Sequence, residues 1–324
     1  MSDVAGNEWL EAEVRQVTPA GRDTLLLQLA APAGVLPGYR PGAHVAVECG
    51  AGVIRHYSLT GAGGHAGVYE LGVKLAADTR GGSRWIFDHA RPGVRLRISA
   101  PRDHFPLCDA APGYLFLSGG IGLTPIVAML HALRARNVRA RLVHMCRAPD
   151  DLAFGDWLAE LGRFHDVQLH FDATAGGVYD VQSELERAAA DTEVYCCGPA
   201  GLMSAVQAFG ERSGRAGHFH FEFFSAAEAP APAGPEDEFV VIQASTGRRI
   251  PVPATKTMLA ALRDAGLVMK SECEYGVCGW CAVGVRDGEP RHFDAYLTAA
   301  EKAGGKLVLP CVSRCASPTL TLDL

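Results

Sequence analysis

Four cysteines near the C-terminus stand at a spacing that suits iron. Cys273, Cys278 and Cys281 follow the pattern C-x4-C-x2-C, and Cys311 comes after 29 further residues. This is the plant-type [2Fe–2S] spacing, with three thiolates on one loop and a fourth from a distant one. Gly276 and Gly279 lie between the first three and let the backbone curl so that its N–H groups point at sulfur. A structural zinc site is the competing reading. Such sites more often pair two C-x2-C knuckles, and no second knuckle is present. A two-iron centre takes one electron at a time, so the rest of the chain should hold a source of electrons.

Several other segments could hold a nucleotide or a flat ring. Gly119-Gly120-Ile121-Gly122-Leu123-Thr124-Pro125 sits where an apolar run gives way to a helical pattern. Glycines there let the backbone approach a pyrophosphate, and a helix N-terminus attracts its charge. A plain strand-to-helix turn would read the same way. Cys197-Gly198-Pro199 ends a later apolar run, where a side chain could touch a ligand ring; a packed thiol before a helix opened by Pro199 is the alternative. The adjacent Cys196 points to the opposite strand face and reads as core. Arg55-His56-Tyr57-Ser58 puts a cation and an aromatic ring on one strand face, which would suit a flavin. On spacing alone an ordinary edge strand explains it better. Arg80-Gly81-Gly82-Ser83 precedes a short helix and would suit a phosphate. Asp172 follows an apolar run and could bond a ribose while repelling a 2′-phosphate, or could cap a loop. Arg147, after another run, would favour the 2′-phosphate instead.

These residues need three kinds of scaffold. Over the first hundred or so residues, short apolar runs at 14–17, 24–29, 44–48, 56–59, 69–74 and 95–99 alternate with Gly and Pro, with one helical stretch at 83–89. This predicts a small antiparallel barrel. From Gly113 the pattern changes. Strands are expected at 114–117, 141–146, 167–171 and 193–196, and helices at 125–135, 157–161, 183–190 and 200–211. That alternation predicts a parallel doubly wound sheet. Residues 226–237, AAEAPAPAGPED, read as a linker. Beyond it a hairpin at 238–243 and 249–252 and a helix at 257–265 lead to the cysteine loop. The expected domains are therefore 1–109, 110–225 and, after the linker, 238–324.

A net charge of −6 offers no basic footprint for nucleic acid. The most apolar stretch, 114–130, is short and broken by Gly and Pro, so no membrane span is expected. The N-terminal residues lack the basic start and apolar core of a signal peptide, and ten cysteines in 324 residues are too few for a disulfide scaffold. A cytoplasmic protein is expected. The twelve histidines show no metal-binding spacing.

Taken in order, Arg-x-Tyr-Ser, Arg-Gly-Gly-Ser, Gly-Gly-Ile-Gly-x-Thr-Pro, Cys-Gly-Pro, Glu-x-Phe and the cysteine signature resemble the phthalate dioxygenase reductase family over nearly the whole chain. The resemblance implies an antiparallel β-barrel that binds FMN, an α/β domain that binds NADH, and an α+β β-grasp ferredoxin domain that holds the [2Fe–2S] cluster. It implies a Rieske-type terminal oxygenase as electron acceptor. It places Arg55, His56, Tyr57 and Ser58 on the flavin, Val73 and Lys74 along it, and Arg80, Gly81, Gly82 and Ser83 on its phosphate. Gly120, Gly122 and Thr124 would meet the NADH pyrophosphate and nicotinamide side. Cys197, Gly198 and Pro199 would approach the nicotinamide. Glu222 and Phe224 of Glu-x-Phe would stand at the flavin, and Cys273, Cys278, Cys281 and Cys311 would ligate iron. No side chain is expected to act as a general acid or base. Two positions depart from the family pattern: Cys315 replaces a small residue, and Trp280 a small polar one. Acceptors other than a Rieske oxygenase, such as a cytochrome P450, stay open, as does a flavin-free iron–sulfur carrier or sensor.

Overall fold

The structure is a computed structural model. It describes residues 9–324 apart from 51–52, 62–66, 76–80, 225–237, 272–273, 275, 277–278, 295 and 298, and gives only the backbone at 299–300. The expected linker therefore lies outside the described residues, as do Arg80, Cys273 and Cys278. The chain divides into two compact units, one ending at Phe224 and the other beginning after it.

The first unit opens with β1 (Trp9–Gly21), β2 (Thr24–Ala30), β3 (His44–Glu48), β4 (Ile54–Ser58) and β5 (Val68–Lys74). Helix α1 (Gly82–His89) and β6 (Arg95–Ser99) follow. The strands pair antiparallel in the order β4-β3-β6-β1-β2-β5. A bridge between Leu59 and Leu71 joins the two ends and closes the barrel. Alternate residues fill the inside: Val14, Leu27, Leu29, Val45, Val47, Leu71, Val73 and Ile98 are fully buried, with Ile86 of α1 among them. β1 is much longer than the expected 14–17. Its first half pairs with β6, setting Glu11 opposite Arg97 and Glu13 opposite Arg95. The two glutamates hide this half from an apolar periodicity, and the partner strand supplies their compensation.

The barrel and the following layer share a core. Ala20 and Leu26 pack against the cluster of Phe116, Ile126, Leu130, Phe154 and Tyr195, and Phe154 N donates to Ala20 O at 2.7 Å. This layer runs β7 (Gly113–Gly119), a 3₁₀ turn (Gly120–Gly122), α2 (Leu123–Ala135), β8 (Arg141–Cys146), α3 (Gly155–Leu161) and β9 (Asp166–Phe171). It continues with α4 (Asp172–Ala175), α5 (Val181–Arg187), β10 (Thr192–Cys197), α6 (Ala200–Arg212) and β11 (Phe219–Phe221). All five strands are parallel, ordered β11-β10-β7-β8-β9. The centre of β7, residues 114–117, is apolar because it is covered on both faces. Tyr114 and Phe116 join one core, Leu115 and Leu117 the other. β11 was not expected, since three residues are too few to show a period.

The second unit contains β12 (Phe239–Gln243), β13 (Arg249–Val252), α7 (Met258–Asp264), β14 (Val283–Asp287) and β15 (Pro290–Arg291). α8 (Ala299–Gly304), β16 (Leu307–Val308), β17 (Arg314–Cys315) and β18 (Thr319–Leu322) complete it. The sheet order is β13-β12-β18-β14-β16, with β12 and β18 parallel and the other pairs antiparallel, a β-grasp. Thr257 caps α7 by accepting from Ala260 N at 3.1 Å, and Met258, Ala261 and Leu262 bury its apolar face on the sheet.

Candidate cofactor and nucleotide sites

The strand order of the parallel sheet reverses between β7 and β10, and a crevice opens beyond the C-terminal ends at such a point. The two glycine-bearing turns meet there. A Cβ on Gly122 would fall 2.2 Å from Cys197 O, one on Gly119 2.5 Å from Pro199 Cδ, and one on Gly198 2.8 Å from Gly119 N. The backbones interlock only because these side chains are absent. Gly120 has φ +54 with no described atom where its Cβ would stand. Cys197 is buried beneath the turn, and Cys196 is fully buried in the opposite core. Asp172 begins α4 with Oδ1 3.2 Å from His170 Nε2, while Ala173 N donates to Arg147 O at 2.9 Å. The two residues that argue for opposite nucleotides thus lie side by side.

Across the crevice stands the barrel. Thr124, in the first turn of α2, donates to Ile121 O at 3.0 Å, and its methyl group lies where a Cβ on Gly72 of β5 would be, 2.6 Å away. Val73 points into the barrel and is fully buried, leaving its backbone to face a ligand. Lys74 reaches Asp23 at 3.9 Å. On β4 the Arg55 side chain lies against Gly82, whose Cβ would be 2.4 Å from Arg55 Cγ. Gly81, at φ +99 with no described atom near its Cβ position, leads into α1 and Ser83. Arg55 is thereby set beside the start of a helix, a combination that fits a phosphate. Tyr57 packs on the barrel core, where burial raises its phenol. Phe224 packs against the core shared with the sheet.

A polar contact spans the crevice: Ser58 Oγ donates to Glu222 Oε2 at 3.2 Å. Glu222 keeps some exposure as a residue, but its carboxyl group is enclosed. Burial pushes it up to about 8, the Ser58 bond opposes this, and the charge of Asp103 adds to it. Sequence reasoning placed Glu222 by motif and did not see this environment. It also missed a buried polar group behind the glycine turn, where His144 Nδ1 lies 2.8 Å from Ser118 Oγ and Nε2 3.3 Å from Cys146 Sγ. Burial lowers this histidine to about 4, so it is neutral.

In the second unit Cys281 and Cys311, far apart in sequence, bring their Sγ atoms to 3.3 Å in a small apolar pocket with Leu259, Leu297 and Leu309. Gly279 has φ +72 and lies under Tyr296, whose ring atoms would be 2.1 Å from a Cβ; Gly276 has φ +82 and packs on Val312. Cys315 belongs instead to the main sheet core, with Sγ 3.1 Å from Ser317 Oγ. Trp280 is half-buried.

Comparison with known proteins follows this geometry. Residues 241–316 match the 2Fe-2S iron-sulfur cluster binding domain, and residues 116–208 the oxidoreductase NAD-binding domain. Vanillate O-demethylase oxidoreductase of a Pseudomonas species is 37% identical over 97% of this chain and 100% of its own. The solved phthalate dioxygenase reductase, described as a modular structure for electron transfer from pyridine nucleotides to [2Fe–2S], is 34% identical over 98% of both chains, with a TM-score of 0.69. The chain belongs to the phthalate dioxygenase reductase family. It is an oxidoreductase with a [2Fe–2S] ferredoxin domain and an NAD-binding domain. A reductase of this family also resembles part of a larger protein: an intact type IV self-sufficient cytochrome P450 monooxygenase matches at a TM-score of 0.82 and 34% identity, covering 100% of this chain but only 43% of that one. Among the described residues no helix is long and apolar enough to cross a membrane.

Proposed function

We propose that this reductase takes hydride from NADH at an FMN on the barrel and delivers electrons singly, through its [2Fe–2S] centre, to a Rieske-type terminal oxygenase. When bound, FMN would accept the hydride and let its two electrons leave one at a time, for the iron–sulfur centre to relay. The residues supply binding and orientation. Arg55, Gly81, Gly82 and Ser83, with Arg80, hold the flavin phosphate. His56, Tyr57, Ser58, the backbone of Val73, Lys74 and Phe224 line its ring. Gly120, Gly122, Gly198 and Pro199 clear room for the NADH pyrophosphate, Thr124 and Cys197 face the nicotinamide, and Asp172 takes the ribose. Cys273, Cys278, Cys281 and Cys311 would each supply one thiolate to the [2Fe–2S] centre. The domains follow as 1–109, 110–225 and 238–324, joined by the linker 226–237. The protein works in the cytoplasm, in keeping with eight described cysteines that form no disulfide.

The observation that carries the reading is the thiol pair of Cys281 and Cys311, buried and converging at 3.3 Å. It is too long for a disulfide at about 2.05 Å and suits two ligands of one metal. Anaerobic addition of NADH to the purified protein tests it: flavin absorbance should bleach and a reduced [2Fe–2S] paramagnetic signal should appear. Chromatography of the acid-released cofactor should give FMN, and FAD as the main species would refute that assignment. The likeness to the P450 fusion favours a second reading, in which the acceptor is a haem protein. Reduction rates with a Rieske oxygenase and with a P450 haem domain, measured side by side, separate the two.

A further inference from the structure

Next to Ser58, the partner of Glu222, stand two histidines, His44 and His104, that the function proposed above leaves unused. Residues of a strand alternate between faces, so Tyr57 turns toward the barrel core while His56 and Ser58 share the other face. His44 of β3 is the register partner of Ser58, and directly opposed side chains project to the same face about 5 Å apart. The His44 ring lies 5.2 Å from that of His56 and 5.3 Å from that of His104. Two backbone bonds of 2.9 Å, in both directions between His44 and Arg102, lock the segment carrying Arg102, Asp103 and His104 against β3. Exposure rises in steps along this group. The Glu222 carboxyl is enclosed, Ser58 and His44 are buried, His104 is half-buried, and Asp103 is exposed with Arg40 Nε 3.7 Å away.

We infer that His44, backed by His104, is the positioning residue through which the Glu222 carboxyl exchanges its proton with solvent. The inference rests on the reductase reading for its purpose. Each NADH oxidised to NAD⁺ gives up one hydride; once its two electrons have left singly, one proton remains in the crevice. The protonated Glu222 carboxyl releases its proton along Ser58, His44 and His104 to water and takes up the crevice proton in its place. No electron moves on this path. The groups facing His44 are His56, His104 and Arg102. Burial first, and the neighbouring His56, His104 and Arg102 next, hold it well below the ordinary histidine range, hence neutral. A neutral imidazole accepts at one nitrogen and releases from the other, which is what a relay requires.

The test uses the full chain freed of flavin. The carbonyl stretch of protonated Glu222, identified by its loss in Glu222→Gln, is followed by infrared spectroscopy after dilution into D2O. His44→Ala should slow this exchange by at least about tenfold, and added imidazole should restore it. His104→Ala, at a half-exposed position, should slow it less. Unchanged exchange in folded His44→Ala overturns the inference, and so does a slowing that imidazole fails to rescue, which would mark His44 as packing. Should His44→Ala not fold, unchanged exchange in His104→Ala is decisive against it. Flavin content and NADH oxidation of the wild type are measured separately, so a failure of the reductase reading is distinguishable from a failure of the relay.

Discussion

Asp172 holds its carboxylate 3.2 Å from His170 and stands next to Arg147 at the edge of the parallel sheet. A partly exposed charge there is worth ~1 kcal/mol, close to a tenfold preference at most. We expect kcat/KM to favour NADH over NADPH, and Asp172→Ala to shrink that ratio by about fivefold to tenfold. An unchanged ratio in the variant would leave the preference standing without Asp172 as its cause. Cys311 presents a sharper case, because its thiol has converged on Cys281 while Cys315 sits in a separate core. Cys311→Ser should lose the iron–sulfur absorbance and keep the flavin bands, whereas Cys315→Ser should keep both. An intact cluster in Cys311→Ser would remove it from the ligand set. The cysteines were legible in the sequence because metal ligation restricts their spacing along the chain. The environment of Glu222 was not, because a carboxyl raised to about 8 is a property of what encloses it.

At the level of elements, the crevice depends on two turns that touch through missing side chains. Gly122→Ala would push a methyl group against Cys197 O, which backbone atoms cannot relieve. A loss of ~1–3 kcal/mol in denaturant unfolding and a raised KM for NADH should follow. Gly81→Ala meets no described atom and pays for its positive φ, ~1–2 kcal/mol, so KM for NADH should be unchanged in the flavin-loaded variant. Elsewhere α5 is tied to β8 by Glu184, which is almost fully buried and bound by Arg141, by Tyr179 Oη at 2.6 Å and by Arg187 at 3.0 Å. Chiefly the Arg141 bond holds its carboxyl down to about 2. A folded-state value below the unfolded one means stability that is present above about pH 4.3 and lost as the pH falls toward 2. Glu184→Gln should lower stability near neutral pH by ~3 kcal/mol and flatten that part of the acid unfolding curve. The Rossmann-like layer was readable from its alternating pattern. The tie across it was not, since Arg141 and Glu184 are far apart in the chain.

For the whole molecule, the chain parts into two compact units after Phe224, and every residue assigned to hydride transfer lies in the first. A protein ending at Phe224 should fold, bind flavin and oxidise NADH with a small dye as acceptor. It should fail to reduce an oxygenase, because the thiols that would hold the iron lie in the second unit. Loss of dye reduction in a soluble, flavin-loaded truncation would contradict this division of labour.

The sequence by itself determined the order of the parts. Period-two runs marked the barrel, alternating strands and helices the nucleotide layer, and cysteine spacing the iron site, because each of these is a local rule about neighbouring residues. Tertiary structure alone decided how distant pieces meet. It extended β1 through charged residues that β6 compensates, and joined to the expected hairpin the later strands β18, β14 and the two-residue β16 to complete the β-grasp sheet. It also brought Ser58, Glu222 and the histidines around His44 to one side of the barrel. The reason is that pairing register and burial are set by partners far off in the chain, and a side chain's chemistry follows from the dielectric and the charges those partners place around it.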